Sequence, residues 1–202
     1  MEDKYKGEKV LIIKNSIIFK NDFWQGIKIE NLDYYYDLLK TNSEFILRKD
    51  AENSTVYQQI IPYILFKFED RFFLYEYLEN ASELRLHHNY ILGIAGHINP
   101  EDEGTNDIIK TGMTREWNEE VDFEGNIISK KLIGIINDDR REVEAVHLGL
   151  IYVFESDSPN ILIKEKDRMK GKLMTLDEMK PLIGNINDLG WAPLIYPYLK
   201  NF

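Results

Sequence analysis

Arg115-Glu116-Trp117-Asn118-Glu119-Glu120-Val121, preceded by Gly96-His97-Ile98, is the stretch on which the reading of this chain turns. At about 100° per residue, Glu116, Glu119 and Glu120 fall within roughly 100° of one another. Earlier positions on the same stripe are Ile109, Gly112 and Met113. One helix face is therefore apolar for its first turns and triply acidic at its end. Unpaired carboxylates are costly to bury, and clustered ones repel. A solvated acidic helix end is one resolution. A hard divalent cation is the other, because oxygen ligands and negative charge are what Mg²⁺ selects. The shared stripe and the upstream glycine favour the cation.

These residues resemble the box of the Nudix hydrolases, G-x5-E-x7-R-E-U-x-E-E-x-G-U, with U a bulky apolar residue. Gly96 matches the opening glycine and Asp107 falls where the first Glu is expected. Arg115, Glu116, Trp117, Glu119, Glu120 and Phe123 match in register. There are three departures. Ten residues separate Gly96 from Asp107 where the pattern has five, Asp107 replaces Glu, and Asp122 replaces the later glycine. The resemblance implies a structural role for Asp107, supporting the loop and helix by pairing with Arg115. It puts Asp122 at a helix exit suited to a left-handed cap, a conformation Asp tolerates better than most residues. No metal-binding position is lost. Outside the box, Gln59-Ile60-Ile61-Pro62-Tyr63, Leu84-Arg85-Leu86, Gly93-Ile94-Ala95 and Val146-His147-Leu148-Gly149-Leu150 are similar to one branch, the predicted Nudix phosphoesterases.

The resemblance implies an α/β/α sandwich with a mixed sheet, and hydrolysis of a diphosphate linkage by water attack on phosphorus. It implies Mg²⁺ or Mn²⁺ held by Glu116, Glu119, Glu120 and a backbone carbonyl at Gly96. Glu119 is the candidate base, with Glu116 the second catalytic carboxylate; Glu142, Glu144 and Glu155 are candidates outside the box. Arg85 is the candidate cation for a substrate phosphate, because a guanidinium fork matches phosphate oxygens; a structural salt bridge is its other reading. His97 could reach a phosphate or pack in its loop. His147 alternates with apolar neighbours, so it faces a cleft or solvent. The His87-His88 pair reads as a surface turn, and Asp138-Asp139-Arg140-Arg141 as a solvated one. A nucleotide-binding sensor without turnover is the alternative function, kept open by the lengthened loop 97–106.

Composition agrees. With 202 residues and 44% hydrophobic content the chain can bury a full core. A net charge of −10 disfavours a nucleic acid polymer as partner, though a small diphosphate is acceptable beside a metal. Without cysteine there is neither disulfide framework nor thiol chemistry. Met1-Glu2-Asp3-Lys4-Tyr5 lacks the order of a signal peptide, and no apolar run approaches the ~20 residues of a membrane span. A cytoplasmic protein is expected, free of the membrane, with a second copy of the chain as a candidate partner.

Residues 1–55 read as an N-terminal extension and 56–202 as the Nudix domain. In the extension, Val10–Ile13 and Ile17–Phe19 suggest a β-hairpin, Leu32–Leu39 a helix capped by Asn31, and 48–55 a polar link. Strands are expected at 57–68, 71–78, 90–98, 127–136 and 145–154, and the box helix at 106–121. Thr175-Leu176-Asp177-Glu178 has the form of a capping box. Trp191–Leu199 reads as a last helix in which Pro197 is awkward.

Overall fold

The computed structural model describes residues 5–78, 90–183 and 190–202. Arg85 and the His87-His88 pair lie outside the described residues. In chain order the elements are β1 (Lys9–Lys14), α1 (Asn15–Ile18), β2 (Gly26–Lys28), α2 (Leu32–Asn42), β3 (Glu44–Leu47), α3 (Arg48–Glu52), β4 (Tyr57–Phe68), β5 (Arg71–Tyr77), β6 (Tyr90–Ile91) and β7 (Ile94–Ala95). They continue with α4 (Ile108–Glu120), β8 (Val121–Glu124), β9 (Ile127–Asn137), β10 (His147–Ser156), β11 (Asn160–Ile163), β12 (Met169–Thr175), α5 (Leu176–Met179) and α6 (Ala192–Ile195). Among the described residues the strands form a ten-stranded sheet, whose main path is β12-β5-β4-β10-β9-β2, and a separate β8-β11 pair. No helix among these residues is long and apolar enough to cross a membrane.

The chain divides into two compact units. One comprises Met1–Tyr63, Ala95–Glu116 and Leu132–Ile151; the other comprises Ile64–Ile94, Trp117–Lys131 and Tyr152–Phe202.

In the first unit, Val10-Leu11-Ile12-Ile13 is a continuous apolar run because β1 is an interior strand. It pairs antiparallel with β3 (Val10↔Ile46) and with the start of β4 (Ile12↔Gln59), and all four side chains are buried. The expected hairpin does not form. With β3 and β4 already bonded to β1, no edge remains for Ile17–Phe19, and Asn15–Ile18 turns into the short α1 instead. Helix α2 forms as expected and runs on to Asn42; Asn31 adopts a left-handed conformation and makes no side-chain cap. The expected link at 48–55 is largely α3. Its Ala51 is fully buried with Val10 and Ile12, and its Arg48 bonds Glu8 and Glu52.

In the second unit, the end of β4 turns at Glu69-Asp70 into β5, as expected. β12, which the sequence pattern did not announce, pairs with the whole of β5 from Met169↔Tyr77 to Thr175↔Arg71. The expected strand at 90–98 is two short ones, β6 and β7, with the Gly93 carbonyl between them accepting the Tyr75 hydroxyl. Of the bulky positions of the box, Trp117 is a core residue and Phe123 is half-buried beside it. Trp117 stacks on Phe66 at 5.8 Å, and Phe123 meets Phe66 edge-on at 5.3 Å. Asp122 is not a left-handed cap. Helix α4 passes directly into β8, where Asp122 is opposite Leu162 and 3.5 Å from Lys166. Thr175 caps α5 as expected, whereas the last segment splits into α6 and a 3₁₀ turn over Tyr196–Asn201. Pro197 has no N–H to extend an α-helix.

Candidate active site

The box glycine and the first box glutamate are in intimate contact. A β-carbon added to Gly96 would lie 1.9 Å from Glu116 Oε2 and 2.0 Å from its carboxyl carbon, so the carboxylate occupies the space a side chain would need. Glu116 is buried. Arg115 holds it by donating from one terminal nitrogen to Glu116 Oε1 at 2.7 Å. The other terminal nitrogen donates to the His97 carbonyl at 2.8 Å. One guanidinium thus ties the helix to the loop that follows Gly96.

Its third partner overturns an expectation. Arg115 pairs with Asp102 rather than Asp107: Nε donates to Asp102 Oδ1 at 2.9 Å and a terminal nitrogen to Oδ2 at 2.8 Å. Asp102 is 1% exposed, and its Oδ2 also accepts the Asn99 backbone N–H at 2.9 Å. Asp102 stands five residues beyond Gly96 in the sense of the pattern, G-x5-D. The extra residues therefore lie between this acid and Arg115, and the loop before the acid has the ordinary length. Asp107 instead accepts Tyr36 Oη at 2.8 Å and the Lys110 backbone N–H at 3.2 Å. Although burial pushes its carboxyl up, the Tyr36 hydroxyl and Lys110 hold it below the usual range.

On α4 the predicted stripe is real: Ile109, Gly112 and Met113 are buried. A glycine inside a helix costs about 1 kcal/mol relative to alanine. Gly112 is there for close approach, since a β-carbon would come within 2.9 Å of both Asp102 Oδ2 and Ile98 Cγ1. Further along, Glu119 is exposed and Glu120 half-buried. Burial, followed by the charges of Glu165 and Glu119, raises the Glu120 carboxyl above its ordinary value.

His97 and His147 point to neither solvent nor an open surface. His97 Nε2 lies 3.0 Å from Gln59 Oε1, and His147 Nδ1 contacts the Val143 carbonyl. The two rings meet edge-on at 5.5 Å. Burial, reinforced by Arg48, His147 and Arg115, pushes the His97 ring down to about 3, and burial lowers His147 as well. In the unfolded chain His97 protonates near 6.5, so between that value and about 3 the unfolded state binds more protons. Stability should hold above pH 6.5 and fall as pH drops through this window. Thermal midpoints against pH for wild type and His97→Asn check it; the variant should lose less on acidification, and parallel curves would contradict the assignment.

Asp138 is not solvated. It is 1% exposed and bonded to Arg140 and to Gln25 Nε2 at 2.8 Å. Glu155 pairs with Lys67 at 2.7 Å, Glu144 lies 3.8 Å from Arg141, and Glu142 is exposed.

No family model matches the chain. It is 31% identical over 183 residues to protein YmaB of Bacillus subtilis (strain 168), a match covering 86% of this chain and 88% of that protein. Among solved structures it superposes on Tm1382, described as a candidate Nudix hydrolase, with a TM-score of 0.81 and 28% identity. That match covers 96% of this chain and 99% of the other. A NUDIX hydrolase from Nitrosomonas europaea, at a TM-score of 0.45 and 14% identity over 79% of this chain and 80% of that one, is too distant to argue from. The α/β class with its mixed sheet, the intact R-E-U-x-E-E core on α4, the glycine–glutamate contact and the likeness to Tm1382 lead to one assignment: the chain belongs to the Nudix hydrolase family.

Proposed function

We propose that the chain is a divalent-metal-dependent hydrolase that cleaves a diphosphate linkage in a nucleoside diphosphate derivative or a related small molecule. The observation that carries this reading is the Glu116 carboxylate seated where Gly96 has no side chain and fixed there by Arg115. Glu119 and Glu120 follow on the same helix at i+3 and i+4, so the three acids share a side of α4. Burial, and then the neighbouring charges of Glu165 and Glu119, raise the Glu120 carboxyl, and a bound cation would relieve that repulsion. Glu116, Glu119 and Glu120, with the Gly96 carbonyl, would hold Mg²⁺ or Mn²⁺, both of which accept oxygen ligands. Such an ion, when bound, offsets the diphosphate charge and lowers the pKa of water.

The side chains divide the remaining work. Glu119, the exposed member, accepts a proton from the attacking water. The new oxygen–phosphorus bond forms as the bridging one breaks, and the leaving phosphate keeps the bridging oxygen. Arg115 is a positioning residue, held by Asp102 and in turn holding Glu116. Arg85 is proposed for a phosphate contact; the His97 ring, engaged by Gln59, is not. Residues 1–55 are read as an extension to a Nudix domain at 56–202, with the Leu11 N–H donating to the Ile98 carbonyl at 2.9 Å in the box loop. A small-molecule substrate and a cytoplasmic setting accord with the net charge of −10; a homodimer is proposed on the 12% aromatic content, which includes Tyr34-Tyr35-Tyr36.

The test is phosphate or nucleotide release from a panel of diphosphates with Mg²⁺ or Mn²⁺, comparing wild type with Glu119→Gln. Metal-dependent turnover that falls by about a hundredfold in the variant is expected. Nucleotide binding without turnover would favour the sensor, for which the insertion between Asp102 and Arg115 is the supporting feature.

A further inference from the structure

We propose that Glu52, His97 and His147 form a second metal centre, a nitrogen-and-oxygen site for a borderline divalent cation of the Zn²⁺ class, which fastens α3 to the box loop and to the start of β10. One nitrogen from each imidazole and one Glu52 carboxylate oxygen lie within 4.8 Å of one another. His147 is buried and the other two are half-buried. All three belong to the first unit.

Hydrogen bonding prepares both rings as ligands. A carbonyl only accepts, so the contact with Val143 O fixes the proton of His147 on Nδ1 and leaves a lone pair on Nε2. Gln59 Oε1 does the same for His97 Nε2, leaving the lone pair on Nδ1. Metal-binding histidines are oriented by such carbonyl partners. Gln59 is fully buried, and among the described residues its carbonyl oxygen contacts His97 while its amide nitrogen has no hydrogen-bond partner. Arg48 donates to Glu52 Oε1 at 3.2 Å, but it is also paired with Glu8 at 3.0 Å. The Arg48 guanidinium is thus shared between Glu8 and Glu52 rather than spent on Glu52 alone.

Imidazole with a single carboxylate suits Zn²⁺ better than Mg²⁺, which prefers oxygen ligands. Three protein ligands leave a tetrahedral ion one open position. The ligands come from chain segments 45 and 50 residues apart, so binding would stabilise the folded state strongly over the unfolded one.

The experiment uses the full-length protein, stripped with a chelator, exposed to Zn²⁺ in excess Mg²⁺ and desalted for elemental analysis. The expected result is about one Zn²⁺ per chain with a raised thermal midpoint. Glu52→Gln should weaken uptake by at least about tenfold, and His147→Ala should abolish it. Glu119→Gln, outside the set, should retain it. Co²⁺ substituted into wild type should give the visible absorption of a four-coordinate nitrogen-containing site, and Glu52→Gln should alter that spectrum even if His147→Ala does not fold. Absence of Zn²⁺ uptake in wild type, or uptake lost in Glu119→Gln and kept in Glu52→Gln, overturns the proposal. Turnover with Mg²⁺ alone is read separately, so failure of the hydrolase reading is distinguishable from failure of this one.

Discussion

Arg115→Ala should lower the free energy of unfolding by about 3–5 kcal/mol, the range expected when one partner of a buried ion pair is removed. Asp102 is 1% exposed, and Arg115 reaches both of its carboxylate oxygens. After truncation, among the described residues, the Asn99 backbone N–H is what remains to that buried charge. The same substitution releases the His97 carbonyl and the Glu116 carboxylate, so the loop and the helix lose their common anchor. Urea denaturation of Arg115→Ala, Asp102→Asn and the double variant measures the effect. The double variant should be less destabilised than the sum of the two singles, because the pair is coupled. Asp107→Asn should cost less than about 1 kcal/mol, since an amide oxygen can still accept from Tyr36 and the Lys110 N–H and the ion pairs lost with Lys110 and Lys40 are partly exposed. If Asp107→Asn proved the costlier of the two aspartate changes, Asp107 would be the box acid after all.

Gly96→Ala should have the largest effect on activity relative to its chemical size. One methyl group would meet the Glu116 carboxyl carbon at 2.0 Å and both oxygens at 2.5 Å or less. The carboxylate can move away only by leaving Arg115, which holds it at 2.7 Å. The overpacking should cost about 1–3 kcal/mol of stability. Displacing a proposed metal-binding carboxylate by an ångström or more should lower turnover on the order of 10²-fold. Kinetics at saturating metal, together with thermal unfolding, check both parts. Raising the Mg²⁺ or Mn²⁺ concentration should recover part of the loss if weaker metal binding is its cause. A variant with wild-type turnover would show that the Gly96–Glu116 contact has no part in the chemistry.

The box helix was legible because helical period and residue type coincide there: Ile109, Gly112 and Met113 are buried as their stripe requires, and Glu116 follows them inward. The long strands β4, β5, β9 and β10 were legible for a similar reason, as apolar runs of strand length. Strand β12 was not, because Met169-Lys170-Gly171-Lys172-Leu173 carries little apolar periodicity of its own; the full edge of β5 supplies its pairing. The hairpin failed on competition. Ile17-Ile18-Phe19 has strand-forming residues, but both edges of β1 are taken by partners more than thirty residues away.

The acidic partner of Arg115 shows the same division within the site. The spacing G-x5-D was present in the sequence at Asp102, but a longer match to Asp107 was equally consistent with the letters. What distinguishes them is the degree of burial, since a carboxylate sealed from water must be paired, whereas the half-buried Asp107 has Tyr36 and lysines at hand. By itself the sequence determined the α/β class, the box helix with its acidic end, and the family those residues resemble, because each depends on local period and residue chemistry. Only the tertiary structure decided which aspartate holds Arg115, that Glu116 fills the space beside Gly96, and that Glu52, His97 and His147 converge. Those depend on contacts between segments far apart in the chain, and local periodicity carries no information about such distances.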